Sequence, residues 1–357
     1  MKRFDTLLLS VTGLLLLIGL IFLVSSSSYQ GVKKFNDSLY YVKHQVLYGL
    51  LPALIIFGVL LWLPFRYYQQ HAFALLIIGL VGLGLVFTHL GLSAGGATRW
   101  LQIGAASFQP VEFFKVFFVI YLAFWFHHFR RPTKNQFILF LLIVGGSIFL
   151  ILIQPNTSAA VLISATAFIM YVASGARLSH VFIVAPVILA IFALLIFSTP
   201  YRLERFLTFL HPNADPLGSG YHVNQSLTAL GSGGLTGVGF GKSTTKINFL
   251  PEPMTDSIFA IIGEEIGLIG SLGVLTLITM LIIRMFLLSL KTRSAFGRLT
   301  IVGFASILGS QSLLNISAVS GLIPFTGVPL PFISYGGSAL IANLAMIGIT
   351  LHIARNN

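Results

Sequence analysis

The sequence predicts an all-α polytopic membrane protein with ten transmembrane helices and a long extracytoplasmic loop between helices 7 and 8. Three observations lead to this prediction. Of the 357 residues, 56% are apolar and only 8% are charged, whereas soluble domains carry about 25% charged residues. The apolar residues form runs as long as the roughly 20 residues that a helix needs to cross a bilayer. There is no cysteine, which excludes disulfides, thiolate metal ligands and a cysteine nucleophile.

The predicted spans follow one another along the whole chain. They lie at about residues 6–26, 46–65, 72–90, 110–127, 137–153, 157–175, 181–199, 256–289, 299–319 and 335–354. The first is read as a span and not as a signal peptide, because its apolar stretch is long and no clear cleavage site follows. Glycine and serine within the spans fit close helix packing in lipid. With short tails and no internal repeat, we predict one integral membrane domain over residues 1–357.

Basic residues in short loops set the orientation, since they are retained on the cytoplasmic side. With the N-terminus inside, 12 basic residues fall in cytoplasmic segments and four, Lys33, Lys34, Lys43 and Arg99, fall in short outer loops. We therefore expect a multi-pass plasma-membrane protein with both termini in the cytoplasm. The net charge of +12 is then mainly an orientation signal and not a sign of nucleic-acid binding.

The nine carboxylates are distributed unevenly. Six of them fall within residues 204–265, in the predicted outer loop at about 200–255 and in the helix after it. Ionisable groups at membrane depth are costly and therefore indicate function. Asp256, at the start of the eighth span, has two interpretations. Its side chain could cap the helix, or it could act as a general base at the membrane–water boundary.

Two further groups of charges lie inside predicted spans. Glu264 and Glu265 follow Asp256 by about 12 Å along the helix, and the sequence favours a structural ion pair with a neighbouring helix. Glu112 and Lys115 are three residues apart and meet on one side of the fourth span. They form either a self-contained ion pair, or a site in which Lys115 faces an anionic substrate and Glu112 positions it.

Cations that could bind a phosphate group lie on the predicted outer side. Arg99, beside the interfacial Trp100, could clamp a phosphate. The long loop adds Arg202, Arg205, Lys242 and Lys246. The glycine-rich run at residues 233–241 lets the backbone approach either a ligand or a packed helix. The nine histidines show no zinc spacing. No cofactor is evident, although a divalent cation is possible.

Four motifs resemble those of a known family, in its order and on one predicted side of the membrane. They are Thr98-Arg99-Trp100 with Gln109-Pro110-x-Glu112-x-x-Lys115; Gly220-Tyr221-His222-x-x-Gln225-Ser226-Leu227 with Gly231-Ser232-Gly233-Gly234-Leu235; Leu250-Pro251-Glu252-x-x-Thr255-Asp256-x-Ile258-Phe259-Ala260 with Glu264-Glu265-x-Gly267; and Gly321-Leu322-x-Pro324 with Leu330-Pro331-Phe332-Ile333-Ser334-Tyr335-Gly336-Gly337-Ser338. With these motifs the chain resembles the SEDS family, the FtsW/RodA/SpoVE group of peptidoglycan polymerases, from its first span to its tenth. The sequences around Gly241-Lys242-Ser243 and Ile262-Gly263-Glu264-Glu265 are closer to the FtsW branch than to RodA.

The chain departs from the family pattern in two of its motifs. After the fifth span it has Gln154-Pro155-Asn156, where the family usually has an aspartate in the third position. A role that needs a charge at this position is therefore not expected. At the eighth span the chain has Asp256-Ser257-Ile258-Phe259, where the family usually has Asp-Phe-Ile-Phe. The acid is kept, and the residue after it differs.

The resemblance implies glycosyl transfer on lipid II at the outer face of the cytoplasmic membrane. The 4-hydroxyl of an incoming lipid II would attack C1 of the lipid-linked glycan, and undecaprenyl pyrophosphate would leave. The matching position makes Asp256 the general base. We predict that Glu112, Lys115, Arg99, Lys242, Arg202, Arg205 and Lys246 form the substrate-binding set.

Other functions remain compatible with the sequence. A lipid II flippase or transporter would have the same composition and the same charged pair in a span. A non-catalytic scaffold for a transpeptidase would also fit. The resemblance implies a class B penicillin-binding protein as partner, and the motifs do not separate a role in division from one in elongation or sporulation.

Overall fold

The computed structural model is a bundle of long helices with a polar layer at one end. It describes residues 4–94, 97–103, 106–129, 133–175, 200–211, 215, 218, 220–247 and 249–356. The helices in this part of the chain are α1 Thr6–Phe35, α2 Tyr40–Leu60, α3 Phe65–Gln70, α4 Ala72–Leu85, α5 Pro110–His128, α6 Lys134–Ile153, α7 Thr157–Ala173, α8 Pro200–Leu210, α9 Tyr221–Ser232, α10 Ile258–Lys291, α11 Ala295–Val319 and α12 Gly337–Arg355.

The long apolar helices match the predicted spans. In the described residues, α1, α2, α5, α6, α10, α11 and α12 are long and apolar enough to cross a membrane, and α4 and α7 are shorter apolar helices. Each of these nine helices overlaps one predicted span. The predicted seventh span, at residues 181–199, lies outside the described residues. The chain is a multi-pass membrane protein.

Helix α1 is longer than predicted. It has 30 residues and is therefore about 45 Å long, well beyond the roughly 30 Å of a hydrocarbon core. The Asp5 carboxylate begins it by accepting a hydrogen bond from the Leu8 amide at 2.9 Å. At its other end Asn36 adopts a left-handed conformation (φ 54°). The helix therefore reaches into the polar layer, where it meets the chain before α10.

The prediction of an all-α fold is wrong between α4 and α5. Here a small antiparallel sheet has the strands β1 Gly91–Ala94, β2 Ala97–Ile103 and β3 Ala106–Phe108 in the order β1-β2-β3. Gly91 pairs with Leu101, and Leu101 pairs with Phe108. The strands are too short to contain the long apolar runs on which the prediction rested. The sheet carries Arg99 on its middle strand.

The long connection before α10 also contains regular structure. Helices α8 and α9 and a 3-10 turn at Thr245–Ile247 lie within the segment that was predicted as a loop over residues 200–255. Two of its glycines pack closely on the first half of α10. Gly233 meets the backbone of Gly263, and Gly237 meets that of Glu265.

Three helices occupy the centre of the bundle. In the most apolar windows of α5 and α12, 78% of the residues are buried inside the protein, and in α11 the share is 72%, against 17% in α2 and α6. Small residues allow the close approach, as at Gly303 of α11, which lies against Val119 of α5 and Met170 of α7. The buried polar residues of α5 and α11 therefore face protein and not lipid.

Helix α10 is broken near its start. Gly267 has φ 66° and ψ −167°, which interrupts the helical backbone. The connection before α10 supplies hydrogen bonds at this break. The Val238 and Gly239 amides donate to the carbonyls of Glu264 and Glu265, at 2.9 and 3.0 Å. From the other side, the Leu268 amide donates to the Gly234 carbonyl at 2.9 Å. The short half of α10 that follows Asp256 is thus fixed by the preceding connection.

Candidate active site

Asp256 lies at the polar end of the bundle, two residues before the first residue of α10. The N-cap residue of that helix is Ser257, and no side chain caps it by a hydrogen bond. The interpretation of Asp256 as a capping residue is therefore wrong. Its carboxylate is half-buried, and no hydrogen bond to it occurs from the described part of the chain.

The surroundings of Asp256 raise its basicity. Burial, with a further contribution from the Glu252 carboxylate, raises its pKa to about 6, although Arg205 and Arg99 act in the opposite direction. A carboxyl group with this pKa is ionised at neutral pH and is a stronger base than an ordinary aspartate. General bases work best when their pKa lies near the operating pH.

The backbone around Asp256 is held by side chains from two other elements. Asn315 of α11 donates through Nδ2 to the Asp256 carbonyl at 2.8 Å and to the Val328 carbonyl at 2.7 Å. Ser334, before α12, donates to the Thr255 carbonyl at 2.6 Å. Because Asn315 is buried, these hydrogen bonds are shielded from water. They fix the position of Asp256 without using its carboxylate.

The connection between α11 and α12 faces this carboxylate. Gly327 has φ 63°, and a Cβ at this position would lie 3.2 Å from Asp256 Oδ2. The glycine is solvent-exposed, so the carboxylate lies next to an opening and not in a closed core. A reacting group could approach Asp256 from that side.

Arg99 reaches the site from strand β2. It donates through Nε to the Gln154 carbonyl at 3.3 Å and through a terminal nitrogen to the Pro155 carbonyl. Its charge lowers the pKa of Asp256, so the two groups are electrostatically coupled. The adjacent Asn156 caps α7 by accepting a hydrogen bond from the Ala159 amide at 3.2 Å. Asparagine and aspartate are comparable in this role, so the missing charge is no obstacle to it.

Arg205 and His222 approach from α8 and α9. Arg205 donates to the Phe325 carbonyl at 3.1 Å. The His222 ring lies against the Phe325 ring, with centroids 3.8 Å apart, and its Nε2 lies 2.7 Å from Ser257 Oγ. Burial, with Arg205 adding to it, lowers the pKa of His222 to about 4. The imidazole is therefore neutral at physiological pH.

Glu112 and Lys115 form a buried ion pair, with 2.7 Å between Oε2 and Nζ. The side chains are 7% and 2% exposed, which supports the self-contained pair over a lysine that faces a substrate. Lys115 also donates to Gln311 Oε1 at 2.9 Å, and Gln311 Nε2 donates to the Pro329 carbonyl at 2.9 Å. Through Gln311 the pair therefore helps to hold the connection between α11 and α12, which contains Gly327.

Lys246 is placed elsewhere, contrary to its prediction as a substrate-binding residue. Its ammonium group contacts Glu265 Oε1 at 2.6 Å, Ser25 Oγ at 2.8 Å and the Gly241 carbonyl at 2.8 Å. These three acceptors use all three of its hydrogens. Glu265 forms a structural ion pair as predicted, but its partner Lys246 lies in the 3-10 turn Thr245–Ile247 and not on a neighbouring helix. Glu264 instead accepts hydrogen bonds from the chain at residues 243–245.

Two other predicted cations stay outside the described surroundings of Asp256. Lys242 is exposed and is not among the charged groups that shift the pKa of Asp256. The side chain of Arg202 lies outside the described residues. In the described ranges there is also no group of three or more histidine or acidic side chains that could hold a metal ion.

Several residues of the site were not singled out from the sequence. Gln311 and Asn315 are polar residues four positions apart in an otherwise apolar span, which places them on one helix face. Such residues within spans are a recognisable functional signal. His222 lies in the second family motif, but no role was predicted for it. Phe325 and Gly327 have no comparable signal, because their contacts depend on how the connections fold together.

The fold and the site define a class, a multi-pass membrane protein with a half-buried basic carboxylate near two arginines at one end of the bundle. A family model described as "Cell cycle protein" FtsW/RodA/SpoVE matches residues 5–357. The chain belongs to the FtsW/RodA/SpoVE family, as the motifs of the sequence indicated.

Individual relatives match along nearly their whole lengths. Stage V sporulation protein E of Bacillus subtilis (strain 168) is 37% identical, over 98% of this chain and 97% of the relative. The probable peptidoglycan glycosyltransferase FtsW of Geobacter sulfurreducens is 34% identical, over 99% and 95%.

Solved structures share the fold. A chain described under "Structural coordination of polymerization and crosslinking by a peptidoglycan synthase complex" has a TM-score of 0.81 and 27% identity, over 99% of this chain and 98% of that one. The rod shape determining protein RodA of Thermus thermophilus has a TM-score of 0.74 and 27% identity, over 99% and 97%.

Proposed function

We propose that this protein is a peptidoglycan glycosyltransferase that polymerises lipid II at the outer face of the cytoplasmic membrane. The observation that carries the proposal is Asp256, a half-buried carboxylate with a pKa of about 6 beside two arginines. Family membership and the relatives named as peptidoglycan glycosyltransferases support the same reaction.

In the proposed step, Asp256 removes the proton from the 4-hydroxyl of the incoming sugar. That oxygen forms a bond to C1 of the lipid-linked glycan, while the bond from C1 to the pyrophosphate oxygen breaks. The electron pair of the broken bond leaves with undecaprenyl pyrophosphate, and the proton stays on Asp256 until water removes it. The bond in the donor is already activated, so no nucleotide is required.

The departing pyrophosphate gains negative charge in the transition state, and cations placed beside it stabilise that charge. Arg99 and Arg205 are the proposed groups, because both act electrostatically on Asp256. Lys242, exposed on the connection before α10, is a proposed contact for substrate on its way to the site. Glu112 and Lys115 act indirectly, by holding the Gly327 connection through Gln311.

We also propose a class B penicillin-binding protein as the partner. The structural neighbour described as part of a peptidoglycan synthase complex supports this assignment. The glycan made by one protein would then be cross-linked by the other.

The direct test is a polymerisation assay with the purified protein and lipid II, with glycan length read on a gel. We expect the wild type to make glycan and Asp256→Asn to lose at least about 100-fold in rate, the size of a general-base contribution. Asp215→Asn is the matched control, since it removes an exposed carboxylate from the same connection and should leave the rate unchanged. The assay is run with and without the partner.

Other outcomes separate the alternatives. Movement of labelled lipid II across vesicles without polymer would identify a flippase and overturn the proposal. Full complementation of a deletion strain by Asp256→Asn would identify a scaffold. Polymer made by Asp256→Asn at the wild-type rate would leave the enzyme in place but remove Asp256 as the base.

A further inference from the structure

The side chain of His222 joins two segments that both contact the proposed general base. On one side its Nε2 lies 2.7 Å from Ser257 Oγ, the residue after Asp256. Ser257 Oγ also donates to the Pro251 carbonyl at 3.1 Å. Ser257 Oγ therefore lies between the imidazole and the Pro251 carbonyl, and the imidazole tautomer decides which of the two side chains donates in their contact.

On its other side the imidazole packs on Phe325, with ring centroids 3.8 Å apart. Phe325 is also fixed through its carbonyl, which accepts from Arg205 at 3.1 Å. Two residues further along, Gly327 comes close enough that a Cβ on it would lie 3.2 Å from Asp256 Oδ2. His222 therefore contacts both the segment that carries Asp256 and the segment that covers its carboxylate.

We infer that His222 is a positioning residue for Asp256, fixing its carboxylate relative to the Gly327 segment so that an acceptor hydroxyl can reach the carboxylate from the opening beside Gly327. The inference rests on the proposed role of Asp256 as the base. His222 does not itself transfer the proton, since its Nε2 is engaged by Ser257 Oγ and its ring is covered by Phe325.

The structure also indicates how large the effect should be. Asn315 holds the Asp256 carbonyl independently of His222, at 2.8 Å, so loss of His222 should leave the carboxylate in place but less well oriented. Misplacement of a catalytic group by about 1 Å can cost about 100-fold in rate. We expect a lower kcat with little change in KM, because His222 is not among the groups proposed to bind the substrate.

The experiment compares His222→Leu, His222→Gln and the exposed control His211→Leu in steady-state polymerisation of lipid II. His222→Leu should lower kcat by about 10–100-fold and change KM by less than twofold. His222→Gln keeps a side-chain N–H for Ser257 and should recover most of the rate. His211→Leu, on the same connection, should behave as the wild type.

The pH profile provides a readout that a merely structural role would not move. The charged groups that act on Asp256 are Glu252, Arg205 and Arg99, and all three stay in place in His222→Leu. If the cover over Asp256 loosens, water reaches the carboxylate, its pKa falls, and the acid limb of the profile moves to lower pH. The effects of Ser257→Ala and His222→Leu on kcat should be less than additive in the double variant, because the two side chains contact each other.

Two results would overturn the inference. One is a kcat of His222→Leu within twofold of the wild type. The other is a slower His222→Leu that also melts at a lower temperature, is not rescued by His222→Gln and keeps its acid limb. A failure of the proposed function would look different, since the wild type would then make no polymer. A failure of Asp256 as the base would leave Asp256→Asn active whatever the result at His222.

Discussion

At the residue scale, scarcity of charge is what made the site visible in the sequence. Asp256 stood out because carboxylates are rare in this chain and six of the nine lie close together. The residues that tune Asp256 were harder to find. Glu252 and Arg205 act on it through space, and that proximity depends on the fold of connections whose course no periodicity predicts.

The same scale shows why chemical type alone misassigned some residues. Lys246 and Arg205 are both cations of the predicted outer connection. In the structure Lys246 forms an ion pair with Glu265 at 2.6 Å. Arg205 instead donates a hydrogen bond to the Phe325 carbonyl, close to Asp256. A buried lysine needs a partner, and Glu265 is that partner.

The pKa of Asp256 leads to a prediction for the pH dependence of the reaction. The carboxylate must be ionised to accept a proton, so kcat/KM should fall as the pH drops through about 6. The slope of log kcat/KM against pH should approach one below this value. Initial rates of polymerisation in a buffer series of constant ionic strength measure it.

Glu252→Gln provides the control for that assignment. Glu252 raises the pKa of Asp256, so its neutralisation should move the inflection to lower pH without abolishing the reaction. An acid limb that is identical in the two proteins would show that another group titrates in this range.

At the element scale, the predictable part of the fold is the set of long apolar helices. Each described apolar helix overlaps a predicted span, because lipid demands both length and continuous apolarity. The sheet at residues 91–108 was not predicted, since strands of three to seven residues carry little pattern. Helices α8 and α9 were missed for a related reason, because they lack the long apolar runs that identified the spans.

The break in α10 yields a stability prediction. Gly267 has φ 66°, a conformation that side chains rarely adopt, and a Cβ there would collide with the Gly237 amide. Gly267→Ala should destabilise the protein by at least about 1–3 kcal/mol and lower its melting temperature in detergent. Because the short half of α10 leads to Asp256, the activity of this variant should also be reduced at temperatures below its melting point.

The same helix offers a matched control. Gly273 lies in regular helix with open space around the position of a Cβ. Alanine is favoured over glycine within a helix by about 0.5–1 kcal/mol, so Gly273→Ala should hold or raise the melting temperature. Equal melting temperatures for Gly267→Ala and Gly273→Ala would show that the break is not a required feature.

At the scale of the whole molecule, the two ends of the bundle have different charge. Asp256 lies at one end with Glu252, Arg205 and Arg99, while the opposite end is tied by the Arg284–Asp5 pair, in which Arg284 Nε lies 3.1 Å from Asp5 Oδ1. This pair joins the start of α1 to the distant half of α10. Its position agrees with the predicted cytoplasmic side, where 12 of the basic residues were placed.

The orientation itself can be tested with single cysteines, because the chain contains none and every label would report one introduced position. Thr236→Cys and Arg293→Cys lie at exposed positions on either side of α10. If the polar layer with Asp256 faces outward, a membrane-impermeant maleimide should label intact cells at position 236, and at position 293 only after permeabilisation. The reverse pattern would place the site on the cytoplasmic side, where a reaction on outward-facing lipid II could not occur.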